Sequence, residues 1–259
     1  DYFIEARKDS PPTVKIDRPG RDARVNPIEE VTVTVSASDD FGLSDVSLHY
    51  SVNGGPEKVV PLLAQKRAQI ADGKHVIALE EYKMAPGDLV SLYATAKDAR
   101  NTTKTDIYFV QADPFERNYS QAQTGGGGGG MGGDQPQEIS QRQKDIIAAT
   151  WNEFKNGSKN PSAAADDAKF LAEQEDKLAA QAKSLADRMK ARELADANPQ
   201  FQSFAKDMEE ASKAMVESAQ KIRAQKWNDA MPPEQKALQS ALRAEATFRD
   251  IQVAFGSRG

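Results

Sequence analysis

The chain has 259 residues, of which 39% are hydrophobic and 28% are charged, and its formal net charge is −5. Its length allows one large domain or two ordinary ones, and it has no apolar run close to the roughly 18 residues that a transmembrane helix needs. The absence of cysteine excludes disulfides and thiolate nucleophiles, and two histidines, His49 and His75, are too few for a multi-histidine metal centre. Because the chain lacks an overall basic charge, we expect no nucleic-acid partner.

The first part of the chain, residues 9–115, alternates in the manner of β-strands. Residues 31–35 read Val-Thr-Val-Thr-Val, and residues 46–52 alternate again before the hairpin signal Asn53-Gly54-Gly55. About seven such runs, with turn signals roughly every ten residues, predict an antiparallel Ig-like β-sandwich. His49 is out of phase with its apolar neighbours and is predicted to be a solvated surface residue. Residues 1–8 are interpreted as the last strand of a preceding domain, so we expect a segment of a longer polypeptide.

Acidic turns of the predicted sandwich supply the candidate metal ligands of the sequence. Asp39 and Asp40 lie in one turn, and Asp98 lies in the turn before the last predicted strand. Calcium takes six to eight oxygen ligands, which acidic turns supply, so these three residues are the candidate calcium ligands. Because the turns lack a complete DxDxDG-type loop, we favour the interpretation that the aspartates cap turns. We expect no metal and no other cofactor, and we assign no catalytic residue.

Residues 116–136 are a glycine-rich segment that separates two blocks of different composition. It contains six consecutive glycines, Gly125 to Gly130. Glycine loses the most backbone entropy on ordering, so the segment is predicted to be a flexible linker. It lacks the lysine of a phosphate-binding GxxxxGK[ST] loop.

The last block, residues 137–259, has helical spacing and predicts an antiparallel helical bundle or coiled coil. We predict helices over 137–155, 162–195, 199–228 and 233–255. Asn160-Pro161 and Asn198-Pro199 each place a capping residue before a proline at the first helical turn. Met231-Pro232-Pro233 is predicted to end one helix and begin another.

The third predicted helix carries an apolar stripe at a spacing of three and four residues. The stripe consists of Phe201, Phe204, Met208, Met215 and Ile222. Such a stripe is typical of bundle core, but few helices are available to cover it. We therefore predict that these five residues form an interface with a partner protein or a second copy, and the core interpretation stays open.

Residues 33–55, which read VTVSASDDFGLSDVSLHYSVNGG, and residues 93–102, which read YATAKDARNT, resemble an Ig-like repeat of bacterial envelope proteins. The order of Ig-like repeat, polar linker and Ala-rich helices resembles the middle region of a large uncharacterised family of membrane-anchored proteins from acidobacteria, planctomycetes and relatives. The resemblance implies a location in the bacterial cell envelope, on the periplasmic or extracellular side. It implies contact with a membrane only through segments outside this chain, and it contributes no catalytic residues.

These observations favour a non-enzymatic structural or scaffold segment, with helices that mediate protein association and a β-domain that acts as spacer or recognition module. The alternative is a carbohydrate-binding or adhesive module, which needs exposed aromatic side chains. The candidates for that role are Tyr50, Tyr82, Tyr93, Tyr108 and Phe109. A second alternative is a carboxylate-based hydrolase, which needs a pocket with two carboxylates about 5–10 Å apart.

Overall fold

The computed structural model of this chain describes residues 8–113, 136–157, 161–191 and 198–256. Residues 8–113 form nine strands and one 3₁₀ turn, and the later ranges form four helices. The predicted division into a β part followed by a helical part is therefore confirmed. Residues 1–7, predicted as a preceding strand, and residues 116–135 of the predicted linker lie outside the described ranges.

The β part contains two sheets. Its strands are β1 Thr13–Arg18, β2 Ala23–Val25, β3 Glu30–Ser38, β4 Asp45–Val52, β5 Lys58–Pro61, β6 Ile70–Ala78, β7 Leu89–Lys97, β8 Thr102–Lys104 and β9 Tyr108–Ala112, with a 3₁₀ turn at Leu79–Tyr82. The first sheet has the order β1-β3-β6, and the second has the order β2-β9-β7-β4-β5 with β8 paired to β7. The pairing is antiparallel except between β2 and β9, which run parallel, so the prediction of a wholly antiparallel arrangement is wrong at that edge.

Both sheets share one hydrophobic core. On β3, Val31, Val33 and Val35 are buried, while the threonines between them are only half-buried. This alternation places every second side chain of the strand on the inner face. The valines belong to the same cluster as Leu48 on β4 and Leu92 on β7, so residues of the two sheets pack against each other.

The helices are α1 Pro136–Asn156, α2 Pro161–Lys190, α3 Pro199–Arg223 and α4 Trp227–Gly256. They form a bundle in which α1 packs on α2, α2 on α3, α3 on α4, and α4 on α1. The predicted cap at α3 is confirmed, because the Asn198 side chain accepts a hydrogen bond from the Gln200 backbone N–H at 2.9 Å and Pro199 is the first helical residue. The predicted cap Asn160 lies outside the described ranges.

The helix boundary predicted at Pro232-Pro233 is wrong. The chain instead turns at Gln225, whose φ is +54°, and α4 begins at Trp227 and continues through both prolines. A proline inside a helix removes one backbone hydrogen bond and crowds the preceding turn. Here the prolines lie in the second turn of the helix, so the lost hydrogen bonds and the crowding affect only residues near its beginning.

Candidate functional site

The second sheet and the bundle meet in a hydrophobic contact, which we call the sheet–bundle interface. The β part contributes Leu89, Ile107 and Phe109, and these pack with buried side chains of α1 and α4. The helical members are Ile147, Trp151, Met231, Leu238 and Leu242. Every member is at least nine-tenths buried, so the helices cover this face of the sheet.

Asp88 is the main polar anchor of the sheet–bundle interface. It lies in the turn before β7 and is only 4% exposed. Its Oδ1 atom accepts hydrogen bonds from Gln239 Nε2 at 2.9 Å and Arg243 Nη2 at 2.6 Å, both on α4. Its Oδ2 accepts from the Ala85 backbone N–H. Burial by itself raises the pKa of Asp88, but these hydrogen bonds and the Arg243 charge outweigh burial and lower it.

Two further buried hydrogen bonds cross the sheet–bundle interface. Trp151 on α1 donates from Nε1 to the Thr105 carbonyl oxygen at 3.0 Å. Gln235 on α4 accepts from the Ser91 hydroxyl at 2.9 Å through Oε1. Each bond gives a partner to a buried polar group. Such a group without a hydrogen-bond partner would cost about 1–3 kcal/mol of stability. The interface is therefore hydrogen-bonded as well as apolar.

Glycines allow the closest approach of the β part to α4. Gly54, at φ +69°, lies so near the helix that an added Cβ would be 2.6 Å from the Pro232 carbonyl oxygen. Gly87, at φ +91°, would bring a Cβ within 2.7 Å of the Arg243 Cα. Both positions combine a left-handed backbone with a lack of space, so a larger residue would push the two parts of the chain apart.

His49 lies at the edge of the sheet–bundle interface. Its ring stacks on Tyr93 with centroids 4.5 Å apart, and Tyr93 contacts the Trp151 ring at 4.4 Å. Its Nδ1 lies 3.0 Å from Glu57, and hydrogen bonding to the imidazole lowers the pKa of that carboxyl. The side chain is only 16% exposed, so the prediction of a solvated surface histidine is wrong. The reason is that α1 covers this outer face of β4 and β7.

The bundle contains a second group of buried polar side chains, which we call the buried carboxylate cluster. Glu175 on α2 accepts from Gln143 Nε2 at 3.0 Å and from the Ser218 hydroxyl through one oxygen, Oε1. Glu234 on α4 accepts from the Thr150 hydroxyl at 2.7 Å. All five residues are 0% exposed. This cluster was not predicted from the sequence, although polar residues at inward positions of otherwise apolar helix stripes were a signal of it.

Burial changes the protonation of the buried carboxylate cluster. Desolvation raises the pKa of Glu175 to about 7. Desolvation, with a further contribution from the neighbouring Glu175, also raises the pKa of Glu234 well above its usual range. The second oxygen of each carboxyl, Oε2, has no hydrogen-bond partner. Glu234 therefore favours the neutral form at neutral pH, and Glu175 is close to half protonated there.

The predicted calcium ligands separate in the structure. Asp39 and Asp98 lie together at one end of the β part beside a third carboxylate, Asp9, which was not among the predicted ligands. One ligand oxygen from each of the three lies within 4.8 Å of the others, and we call this group the acidic triad. Asp40 is exposed and does not belong to it.

The predicted turn-capping role is confirmed for Asp39 and Asp98. Asp39 Oδ2 accepts from the backbone N–H groups of Phe41 at 3.0 Å and Gly42 at 2.7 Å. Asp98 caps its turn through the backbone N–H groups of Asn101 and Arg100, and these bonds lower its pKa. Burial, followed by the nearby Asp98 charge, raises the pKa of Asp9.

The apolar stripe predicted as a partner interface is core of the bundle within one chain. Its five residues, Phe201, Phe204, Met208, Met215 and Ile222, are at most 5% exposed. They pack against side chains of neighbouring helices, which include Leu178 and Leu185 on α2 and Ala237 and Ala241 on α4. A partner could reach them only by opening the bundle. The core role therefore replaces the partner interface for these residues, because four helices are enough to cover the stripe.

The aromatic residues named for carbohydrate binding do not form an exposed platform. Tyr50 and Phe109 are buried, and Tyr82, Tyr93 and Tyr108 are partly buried. A cavity beside Tyr93 and Trp151 has a volume of only about 40 Å³, which is room for water rather than for a sugar.

One surface groove contains two carboxylates and therefore bears on the hydrolase alternative. It has a volume of about 480 Å³, lies between the Asn53-Gly54 turn and helices α3 and α4, and contains the carboxylates Glu217 and Asp229. The Glu217 side chain is 61% exposed and forms an ion pair with Lys221 at 3.3 Å. A general acid usually needs burial in apolar surroundings, and Glu217 does not have them.

Comparisons with known proteins add little to this geometry. No protein-family model matches the chain, and no curated protein matches it. Among solved structures, the crystal structure of the Br derivative of BhCBM56, a carbohydrate-binding module, is similar over 31% of this chain and 78% of that one, at 15% identity and a TM-score of 0.21. A likeness at that TM-score carries no assignment of fold or function. Within the described ranges, none of the helices is long and apolar enough to cross a membrane.

Proposed function

We propose that this chain is a non-enzymatic structural segment of a bacterial cell-envelope protein, in which an Ig-like β-sandwich and an antiparallel helical bundle act as one rigid unit. The sheet–bundle interface is the observation that carries this proposal. Domains joined only by a tether usually share small, polar contacts and move relative to each other. Here a buried apolar cluster, the Asp88 anchor and two glycine contacts hold the parts together.

A rigid connection suits a spacer or scaffold. The β part is held at one orientation relative to the long helices, so a partner bound by either part is presented at a defined position. The envelope location is supported by the resemblance of residues 33–55 and 93–102 to Ig-like repeats of envelope proteins. Fractionation of cells that produce the parent protein tests it, and recovery in the cytosolic fraction would contradict it.

In this proposal, partner proteins bind the outer faces of the helices, because the apolar stripe is buried in the bundle core. We expect the isolated chain to sediment as a monomer of 28.2 kDa, since its bundle core is already covered. A dimer that loses its helical circular dichroism on dissociation would show that the core is incomplete without a second copy.

The rigid-unit proposal is tested by cutting the glycine run and asking whether the two parts stay together. A protease recognition site is inserted between Gly125 and Gly130, and the cleaved protein is run on size exclusion with light scattering. We expect the fragments to co-elute at close to the mass of the uncut chain. Separate elution of folded fragments would refute the proposal.

Matched variants identify the contact that holds the cleaved parts. The double variant Asp88→Asn with Trp151→Ala removes a polar anchor and a large interface side chain, so its fragments should separate at protein concentrations at which those of the unmodified chain still co-elute. Lys15→Ala removes an exposed ion pair with Asp17 on the first sheet, outside the sheet–bundle interface, and its fragments should co-elute like those of the unmodified chain. Equal behaviour of the two variants would show that the fragments associate through another surface.

A further inference from the structure

The acidic triad joins three separate segments of the β part. Asp9 lies on the segment before β1, Asp39 follows β3, and Asp98 follows β7. One oxygen of each carboxyl lies within 4.8 Å of the others. Carboxylates this close repel one another unless a proton or a cation lies near them.

The turn-capping hydrogen bonds do not use all of these oxygens. Asp39 is only 8% exposed, yet its Oδ1 atom has no hydrogen-bond partner, while Oδ2 already accepts two backbone N–H groups. Asp9 Oδ1 is likewise buried without a partner. A buried carboxylate oxygen without a partner is costly, and it calls for a group that the described residues do not supply.

Among the described residues, Arg100 is the basic group that pairs with Asp9, and it does not fill this role. Arg100 Nε lies 3.8 Å from Asp9 Oδ2, which is outside hydrogen-bond distance, and the Arg100 side chain is 78% exposed. An exposed ion pair of this kind is worth little in water. The free oxygens of Asp9 and Asp39 are therefore left for another cation.

We propose that Asp9, Asp39 and Asp98 bind a calcium ion at this end of the β part. The donors are all carboxylate oxygens, which suit hard cations, whereas zinc and copper sites draw on histidine or cysteine. Calcium accepts six to eight oxygens in flexible geometry, so water and backbone carbonyls can complete the shell. Magnesium demands near-ideal octahedral geometry, and three carboxylates held on separate segments of the chain fit it less well. Asp39 and Asp98 thus serve both as turn caps and as ligands, whereas Asp9 serves only as a ligand.

Calcium at this position ties the segment before β1 to the loops after β3 and β7. The bound ion stabilises the end of the β part at which these three segments meet. This role goes beyond the rigid contact between sheet and bundle, and it does not depend on that contact.

Calorimetric titration of the whole chain with calcium chloride, after treatment with a chelator, tests the site. We expect one binding site with a Kd in the range of roughly 10⁻⁴–10⁻³ M that is common for extracellular modules, together with a higher melting temperature in calcium than in chelator. Magnesium chloride should bind more weakly. Absence of binding at millimolar calcium, or equal affinity for both ions, would overturn the proposal.

Three variants assign the binding to the acidic triad. Asp39→Asn and Asp9→Asn should each weaken calcium binding at least about tenfold, since even groups that only support a metal ligand contribute that much. Asp9 makes no turn-capping bond in the structure, so Asp9→Asn decides the question if Asp39→Asn fails to fold. Asp40→Asn changes an exposed neighbour outside the triad and should keep the original Kd. Unchanged binding in the Asp9 variant would place the ion elsewhere and refute the site.

Discussion

Replacing Glu175 by glutamine should make the chain more stable at neutral and alkaline pH and remove part of its pH dependence. The side chain is 0% exposed, and its Oε1 accepts from Gln143 and Ser218. Glutamine has the same shape and keeps an acceptor oxygen for both bonds. It carries no charge, so it avoids the desolvation that ionisation of Glu175 brings.

The size of the expected stability difference follows from the raised pKa of Glu175. The pKa of Glu175 is raised from 4.5 to about 7 by desolvation. The folded state therefore holds its proton between these two values while the unfolded state releases it. The stabilisation is fully present below about pH 4.5 and is lost as the pH rises through about 7. The shift corresponds to about 3 kcal/mol of unfolding free energy.

The assay is urea denaturation followed by circular dichroism at a series of pH values between about 5 and 8. The difference in unfolding free energy between Glu175→Gln and the unmodified chain should grow with pH and level off above about 7. Glu173→Gln is the matched control, because Glu173 is exposed on the same helix. Its difference from the unmodified chain should stay flat.

Two results would refute this reasoning. One is a Glu175→Gln variant with the same pH dependence as the unmodified chain. The other is a variant that is less stable at pH 8, which would mean that the charged carboxylate is stabilised by a contact that the structure does not show.

Three further changes test the packing. Phe204→Ala should cost about 3–5 kcal/mol of unfolding free energy in urea melts, because the ring is 0% exposed in the bundle core; a cost below about 1 kcal/mol would contradict the core role. Gly54→Ala should lower the melting temperature, because the new Cβ would lie 2.6 Å from the Pro232 carbonyl oxygen at a left-handed φ. Asp88→Asn should weaken the bond to Arg243 and cost about 1.5–3 kcal/mol at neutral pH. Since the pKa of Asp88 is lowered, this stability is present above pH 3.8 and lost as the pH falls through the folded value, so acid melts of the two proteins should converge.

Local sequence signals predicted most of the elements. The alternation of residues 31–35 predicted a strand because every second side chain of a strand faces the core, and β3 has this burial pattern. Asn198-Pro199 predicted the beginning of α3 because the cap and the fixed proline φ act within one turn. The spacing of Phe204 and Met208 predicted an apolar helix face, which is buried.

Contacts between distant segments were decided only by the tertiary structure. The alternation of β4 predicts which face His49 occupies, but only the docking of α1 shows that this outer face is covered. The stripe on α3 looks the same in a sequence whether a partner or α2 and α4 cover it. Asp9 is separated from Asp98 by 89 positions in the chain, so no local pattern joins them.

The buried carboxylate cluster is a second case in which burial was decided only by the tertiary structure. A glutamate on a polar helix looks like a solvated residue, and its position between Leu171 and Leu178 on an apolar stripe is only a weak signal that it is buried. Its burial depends on three other helices that bring Gln143, Ser218 and Glu234 to the same place. Local backbone preference and periodicity are encoded over a few residues, whereas burial and charge proximity depend on where the whole chain packs.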